Sequence, residues 1–137
     1  MADQLICLPV EPTAKGRPRV VRLKNGASHT FTPDKTVSAE ERIRWHLREM
    51  GAKAYPPGVP LEVQIAFHIK RPKSKKKTAY PVCRPDIDQF LKLVCDALQP
   101  LVIPDDAQIV RLTGEKHYVE GDPEIRICII EADWWKK

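Results

Sequence analysis

Hydrophobic positions alternate with mostly polar ones at Leu61, Val63, Ile65, Phe67 and Ile69, which predicts a strand with one face in a core. Two stretches carry a helical period instead. Over 36–50, Ile43, Leu47 and Met50 fall on one face, and Glu40, Glu41, Arg44 and Arg48 are expected to face solvent. Over 88–98, Phe90, Leu91, Val94, Ala97 and Leu98 form an apolar stripe opposite a polar face, and Pro100 marks the end of that helix. Pro56-Pro57-Gly58 separates the first helix from the alternating strand. Shorter strands are predicted at 4–10, 20–23 and 28–31, the last two joined as a hairpin through Asn25-Gly26, a pair that tolerates positive φ. Two more are predicted at 108–112 and 124–130, linked by a loop or strand extension through His117 and 121–123. The order of elements predicts an α/β fold, a mixed sheet with two main helices packed on it, in a single domain over 1–137. Strand order is not fixed by the pattern.

Composition changes this picture little. A hydrophobic fraction of 42% and a charged fraction of 30% are ordinary for a globular chain, without repeats or low-complexity tracts. No apolar run approaches the ~20 residues that cross a bilayer, and no basic flank with an apolar stretch opens the chain, so a cytoplasmic protein with no membrane partner is expected. Cys7, Cys83, Cys95 and Cys128 lack zinc-site spacing and are expected to be reduced thiols, mostly core filler. The net charge of +5 biases the partner towards polyanions.

Chemistry concentrates where the second helix begins, in Arg84-Pro85-Asp86-Ile87-Asp88-Gln89-Phe90-Leu91-Lys92. Extended backbone would turn Asp86 and Asp88 to the same side, and Lys92 stands one helical turn beyond Asp88. Carboxylates so close repel each other, and a divalent cation is a natural agent to hold them together. Asp105 and Asp106 add further acids in a short turn before the next strand. Mg²⁺ would leave coordination positions for a phosphate and a water, and Lys92 would stabilise developing phosphate charge or orient that water. A plainer reading stands beside this one: Asp86 or Asp88 caps the helix, Lys92 pairs with Asp88, and Asp105-Asp106 is a solvated turn. Asp96 is read as lying on the outer part of the helix, away from the chemistry.

Residues 70–77 hold six basic side chains in eight, Lys70, Arg71, Lys73, Lys75, Lys76 and Lys77, and are expected to form an exposed loop. Beside an acidic site such a loop would contact a nucleic-acid backbone; alone, it is a solvated charge run. Arg17, Arg19 and Arg22 would extend the basic surface or merely solubilise it. His29, His46, His68 and His117 have no metal-site spacing and receive no catalytic role, and Trp134 and Trp135 are left unassigned.

The run 84–92, then Cys95-Asp96-Ala97-Leu98, then Asp105-Asp106-Ala107-Gln108-Ile109-Val110, resembles the RusA family of Holliday-junction resolvases. Gly16-Arg17-Pro18-Arg19 and Phe31-Thr32-Pro33 are similar to that family too, so the likeness covers nearly the whole chain. It implies a homodimeric, Mg²⁺-dependent, structure-selective endonuclease that nicks symmetric strands of four-way junctions, with Mn²⁺ as a possible substitute cation, in a family often carried by phages and prophages. Residue by residue it implies metal or catalytic roles for Asp86, Asp88 and Asp106 and an essential basic role for Lys92, with Asp105 a less secure neighbour. Gln89 departs from the family, which commonly places Asn there. A less selective nuclease acting on flaps or branched DNA, and a DNA-binding module that does not cleave, are the alternatives; metal-dependent cleavage separates the second from the first.

Overall fold

A computed structural model describes residues 3–16, 19–31, 34–75 and 78–132, and the side chains of 19–21, 29–31 and 75 lie outside that description. In chain order the elements are β1 (Gln4–Leu8), β2 (Arg19–Arg22), β3 (Ser28–Phe31), α1 (Asp34–Glu49), β4 (Leu61–Lys70), α2 (Ile87–Leu98), β5 (Ile109–Val119) and β6 (Glu124–Glu131). β1, β6, β4 and β5 lie side by side in that order in a mixed sheet, and β2 and β3 form a separate hairpin. β4 runs parallel to β5 and antiparallel to β6. Parallel neighbours need a crossover, and α2 supplies it.

The alternation in β4 is realised as a buried face, with Leu61, Val63, Ile65 and Phe67 in the core. Ile125, Ile127 and Ile129 of β6 and Ile6 and Leu8 of β1 continue that surface. Both helices close over it. Phe90 of α2 stacks on Phe67 of β4 with ring centroids 5.0 Å apart, a contact worth roughly 0.5–1.5 kcal/mol beyond the area it buries. The predicted hairpin is present, with Gly26 at φ 88° in its turn. The segment through His117 is strand, so β5 is much longer than its apolar start indicated, because most of its residues are polar and face solvent at least partly.

Some expectations fail for physical reasons. Glu40 is buried, because Thr36, Glu40, Ile43 and Leu47 share the inward stripe of α1 and Lys15 Nζ reaches the Glu40 carboxylate at 3.1 Å. Arg44, expected in solvent, is half-buried and donates to the Asp96 carbonyl at 3.0 Å. Met50 is exposed, since it lies in the turn after the helix, just before Gly51 at φ 65°. Of the cysteines Cys95 alone is buried; Cys7 alternates with Ile6 and Leu8 and so falls on the sheet face opposite the helices, while Cys83 is exposed in a loop. Among the described residues no helix is long and apolar enough to cross a membrane.

Candidate active site

α2 presents two adjoining stripes. Phe90, Leu93, Val94, Ala97 and Leu98 enter the core. Asp88, Leu91, Lys92, Cys95 and Asp96, each about one turn from the next pair, form a wall of an open cleft of about 340 Å³. Asp106, Ile109 and Leu112 complete its lining from the turn before β5 and from that strand's first residues. Gly114 lets the helix lie close to the strand: a Cβ there would fall 2.8 Å from Leu91 Cδ1.

The turn that carries Asp106 is held at several atoms. Asp105 caps the short 3-10 turn Asp106–Gln108, its carboxylate accepting from the Ala107 N–H at 2.9 Å. Gln108 is buried, donates to the Pro56 and Val59 carbonyls at 2.9 and 3.0 Å, and accepts from the Asp105 N–H at 3.3 Å. The Asp106 N–H donates to Gln99 Oε1 at 3.1 Å, and Gln99 Nε2 donates to the Cys95 carbonyl at 3.2 Å, tying the turn to the end of α2. Of the two neighbouring acids, Asp105 is spent on the turn and Asp106 faces the cleft. The family resemblance assigns the metal or catalytic role to Asp106 and leaves Asp105 the less secure neighbour.

At the other end, Asp86 occupies the N-cap of α2 in extended conformation, yet its side chain makes no capping bond. It is exposed, with Arg84 Nη1 3.5 Å away. Lys116 of β5 donates to both the Cys83 and Pro85 carbonyls at 3.0 Å, fixing the backbone that delivers Asp86 and Asp88. The plainer reading of Asp86 as a helix cap is therefore not met, and Asp105, read there as part of a solvated turn, is the acid that caps. Asp88, Lys92 and Asp106 have no hydrogen bond or ion pair from their side chains among the described residues.

Asp96 corrects the sequence reading. It is not an outer residue but lines the cleft, and its Oδ2 lies 2.8 Å from Lys15 Nζ. Asp88, Lys92 and Asp96 recur every four residues, the one signal that could have placed Asp96 on this face. Lys15 arrives from the segment after β1, its N–H donating to the Gln89 carbonyl at 3.0 Å. Burial, the largest single influence, pulls its ammonium down, but hydrogen bonds to Asp96 and Glu40 and their charges together outweigh this and hold it above the ordinary lysine value. The field in the cleft is negative: burial, then Asp96 and Asp106, push the Cys95 thiol up to about 11, against a smaller opposing pull from Lys92.

One cleft thus gathers Asp88, Lys92 and Asp106, with Asp86 outside its lining two residues before Asp88. Among the described residues no three His, Cys, Asp or Glu side chains stand as a ready-made metal cage. The basic run is not all loop: Lys70 is the last residue of β4 and Lys73 opens a short 3-10 turn, Lys73–Lys75, and both are exposed. Arg71 is committed to structure: it bonds Glu120 at 2.8 Å and the Thr78 carbonyl, and lies 4.6 Å above the Tyr118 ring. Lys76, Lys77, Arg17, Trp134, Trp135 and the side chains of Lys75 and Arg19 lie outside the described residues.

A family model described as endodeoxyribonuclease RusA matches residues 9–130. The chain is also similar to the uncharacterized protein YqaN of Bacillus subtilis (strain 168), 33% identical over 134 residues, covering 89% of this chain and 92% of that relative.

Proposed function

The chain belongs to the RusA endodeoxyribonuclease family, and from that premise we propose that it resolves four-way DNA junctions by divalent-metal-dependent nicking at the α2 cleft. The observation that carries the reading is the convergence on one cleft of Asp88 and Lys92 from α2 and Asp106 from the turn before β5, none of the three neutralised by another side chain among the described residues. Both carboxylates are exposed, and so stay open to a ligand of opposite charge.

The donor set fits a hard cation. Carboxylate oxygens suit Mg²⁺, which keeps several waters and needs one or two protein carboxylates, so the lack of a closed cage is no obstacle. Asp86, Asp88 and Asp106 would hold it, and Mn²⁺ would be accepted by the same oxygens. When bound, the cation supplies Lewis acidity to a phosphoryl oxygen and lowers the pKa of a bound water. Lys92 orients the scissile phosphate and offsets its developing charge. Lys70 and Lys73, with Lys75, Lys76 and Lys77, contact the phosphate backbone away from the cut, while Arg71 is held by Glu120 and the Thr78 carbonyl. A two-fold junction nicked at symmetric positions is most simply served by two copies of the chain related by that symmetry, hence a homodimer.

Labelled four-way junction and matched linear duplex, each incubated with Mg²⁺ or with EDTA, test the reading. Junction nicking in Mg²⁺ alone, with the duplex spared, is the expected result. Equal cutting of the duplex would reduce the protein to a general nuclease, and binding without cutting to a DNA-binding module.

A further inference from the structure

Lys15 is the only described cation that pairs with a carboxylate of the cleft lining, and it does so from behind the wall: it pairs with Asp96 at 2.8 Å and is absent from the lining itself. Its position is over-determined. The Lys15 N–H is bonded to Gln89 of α2, the ammonium also reaches Glu40 of α1 at 3.1 Å, and the next residue, Gly16, donates its N–H to Thr36 Oγ1 at 2.8 Å. The segment is therefore strapped across both helices at a fixed distance from the site. We propose that Lys15 is a positioning residue that sets the charge of the cleft, neutralising Asp96 so that it adds no further free charge to Asp86, Asp88 and Asp106 around the cation and the DNA phosphate keeps its approach.

This role rests on the metal-dependent reading of the cleft and goes one step beyond it. Three carboxylates and one lysine line the cleft, a net negative charge that favours a divalent cation and repels a phosphodiester. A further uncompensated acid would strengthen the first effect and worsen the second. Because Asp96 is tied to Lys15, and Glu40, the other carboxylate on that ammonium, is buried on α1 outside the cleft, the balance is set by a residue that touches neither metal nor DNA. An ion pair that served stability alone would make no such demand on binding.

Opposite signs expose the difference. Glu40→Gln is the background, since it avoids stranding a buried carboxylate, and it should leave metal affinity near that of the wild-type chain. In that background Lys15→Met should tighten Mn²⁺ binding to the protein alone by about tenfold, the scale of one further unit charge near a partly solvated site. It should weaken junction binding in EDTA. Asp96→Asn should shift both in the reverse direction, and the Lys15→Met/Asp96→Asn pair should return both to the background value. Lys15→Arg should keep that value. Thermal melts of each variant establish that it folds, and Mn²⁺ titration by electron paramagnetic resonance gives the affinity. If Asp106→Asn leaves Mn²⁺ affinity intact, the metal reading of the cleft falls and this inference with it. If Asp106→Asn weakens Mn²⁺ but Lys15→Met changes it by less than about twofold, or shifts it in the same direction as Asp96→Asn, the charge-setting role alone is wrong.

Discussion

The two faces of the sheet use their charges in opposite ways. On the face without helices, His117 bonds Glu115 at 2.7 Å, Arg126 bonds Glu124 at 2.7 Å, and Arg111 lies 3.9 Å from Glu62, each pair formed across strands or between alternate residues of one strand. His68 stacks on His117 with centroids 5.3 Å apart. On the helix side, at the α2 cleft, Asp88, Lys92 and Asp106 are left unneutralised by any described side chain, while residues around them, Gln99, Gln108 and Lys116, are spent on backbone carbonyls and N–H groups that hold the acids in place. A cluster of titratable groups is thus not in itself a site. What separates the two is whether the scaffold satisfies the charges or leaves them over.

The comparison breaks most readily at Asp106. Asp106→Asn should lower junction cleavage by about 10²-fold or more, the several kcal/mol that a metal ligand contributes, while junction affinity measured in Ca²⁺ holds or rises. Asp105→Asn should act differently, through the turn: an asparagine oxygen still caps, so cleavage should change little. Equal losses from the two substitutions in single-turnover assays would mean that both acids work at the metal, and the division between spent and spare carboxylates would fail.

Much of this division is legible in the chain and some is not. The strand at β4, both helices and the hairpin follow from local period and turn chemistry, which act over a few residues. The acids at 86, 88, 105 and 106 stand out because like charges crowd in sequence, and only the family resemblance singles out Asp106 from Asp105. Glu40, Arg44, Lys15 and Asp96 escape a local reading because each owes its setting to a partner 25 or more residues away, as with Lys15 and Glu40, and no local period encodes that meeting. Asp96 is the instructive case. Its spacing from Asp88 and Lys92 places it on the cleft side, but the apolar stripe suggests a helix with one wholly solvated face, whereas in α2 only Asp88 and Lys92 are exposed and Asp96 is half-buried. Gln99, Gln108 and Lys116 carry no sequence signal at all, since their work is to satisfy backbone groups that only the fold brings near.

Lys116 sharpens the comparison on the scaffold side. Its ammonium bonds two carbonyls shortly before Asp86, so Lys116→Met should release that segment and lower kcat by about tenfold through misplacement of the acids. Loss of stability should be small, about 1 kcal/mol for exposed hydrogen bonds. A kcat unchanged beside a lowered Tm would make Lys116 a structural residue only. The loop gives a smaller effect, confined to binding. Replacing Lys70 and Lys73 together with alanine should reduce the slope of log affinity against log salt by ~0.9 for each phosphate that is no longer neutralised, and leave cleavage at saturating junction near the wild-type rate. An unaltered slope would take both lysines off the DNA.

The smallest effect belongs to the satisfied face and reads only stability. His68 titrates below the ordinary histidine value, first because burial disfavours its charged form and then because Arg126 repels it, with His117 adding to that and Glu124 and Glu115 opposing. In the unfolded chain it regains the ordinary value near 6.5. The folded state therefore binds fewer protons than the unfolded one as pH falls through that value, so stability is full above it and declines towards the lower folded pKa. His68→Gln removes this one contribution. Urea unfolding at about pH 7.5 and about pH 5.5, which bracket histidine titration, should show a smaller acid loss in the variant than in the wild-type chain. The neighbouring pairs Arg126 with Glu124 and His117 with Glu115 remain in both proteins, so the difference isolates His68. DNA cleavage at neutral pH should be unchanged, because His68 lies on the sheet face opposite the α2 cleft. An equal acid loss in both proteins would remove His68 from the pH response, and a fall in cleavage would show that the face without helices takes part in the reaction after all.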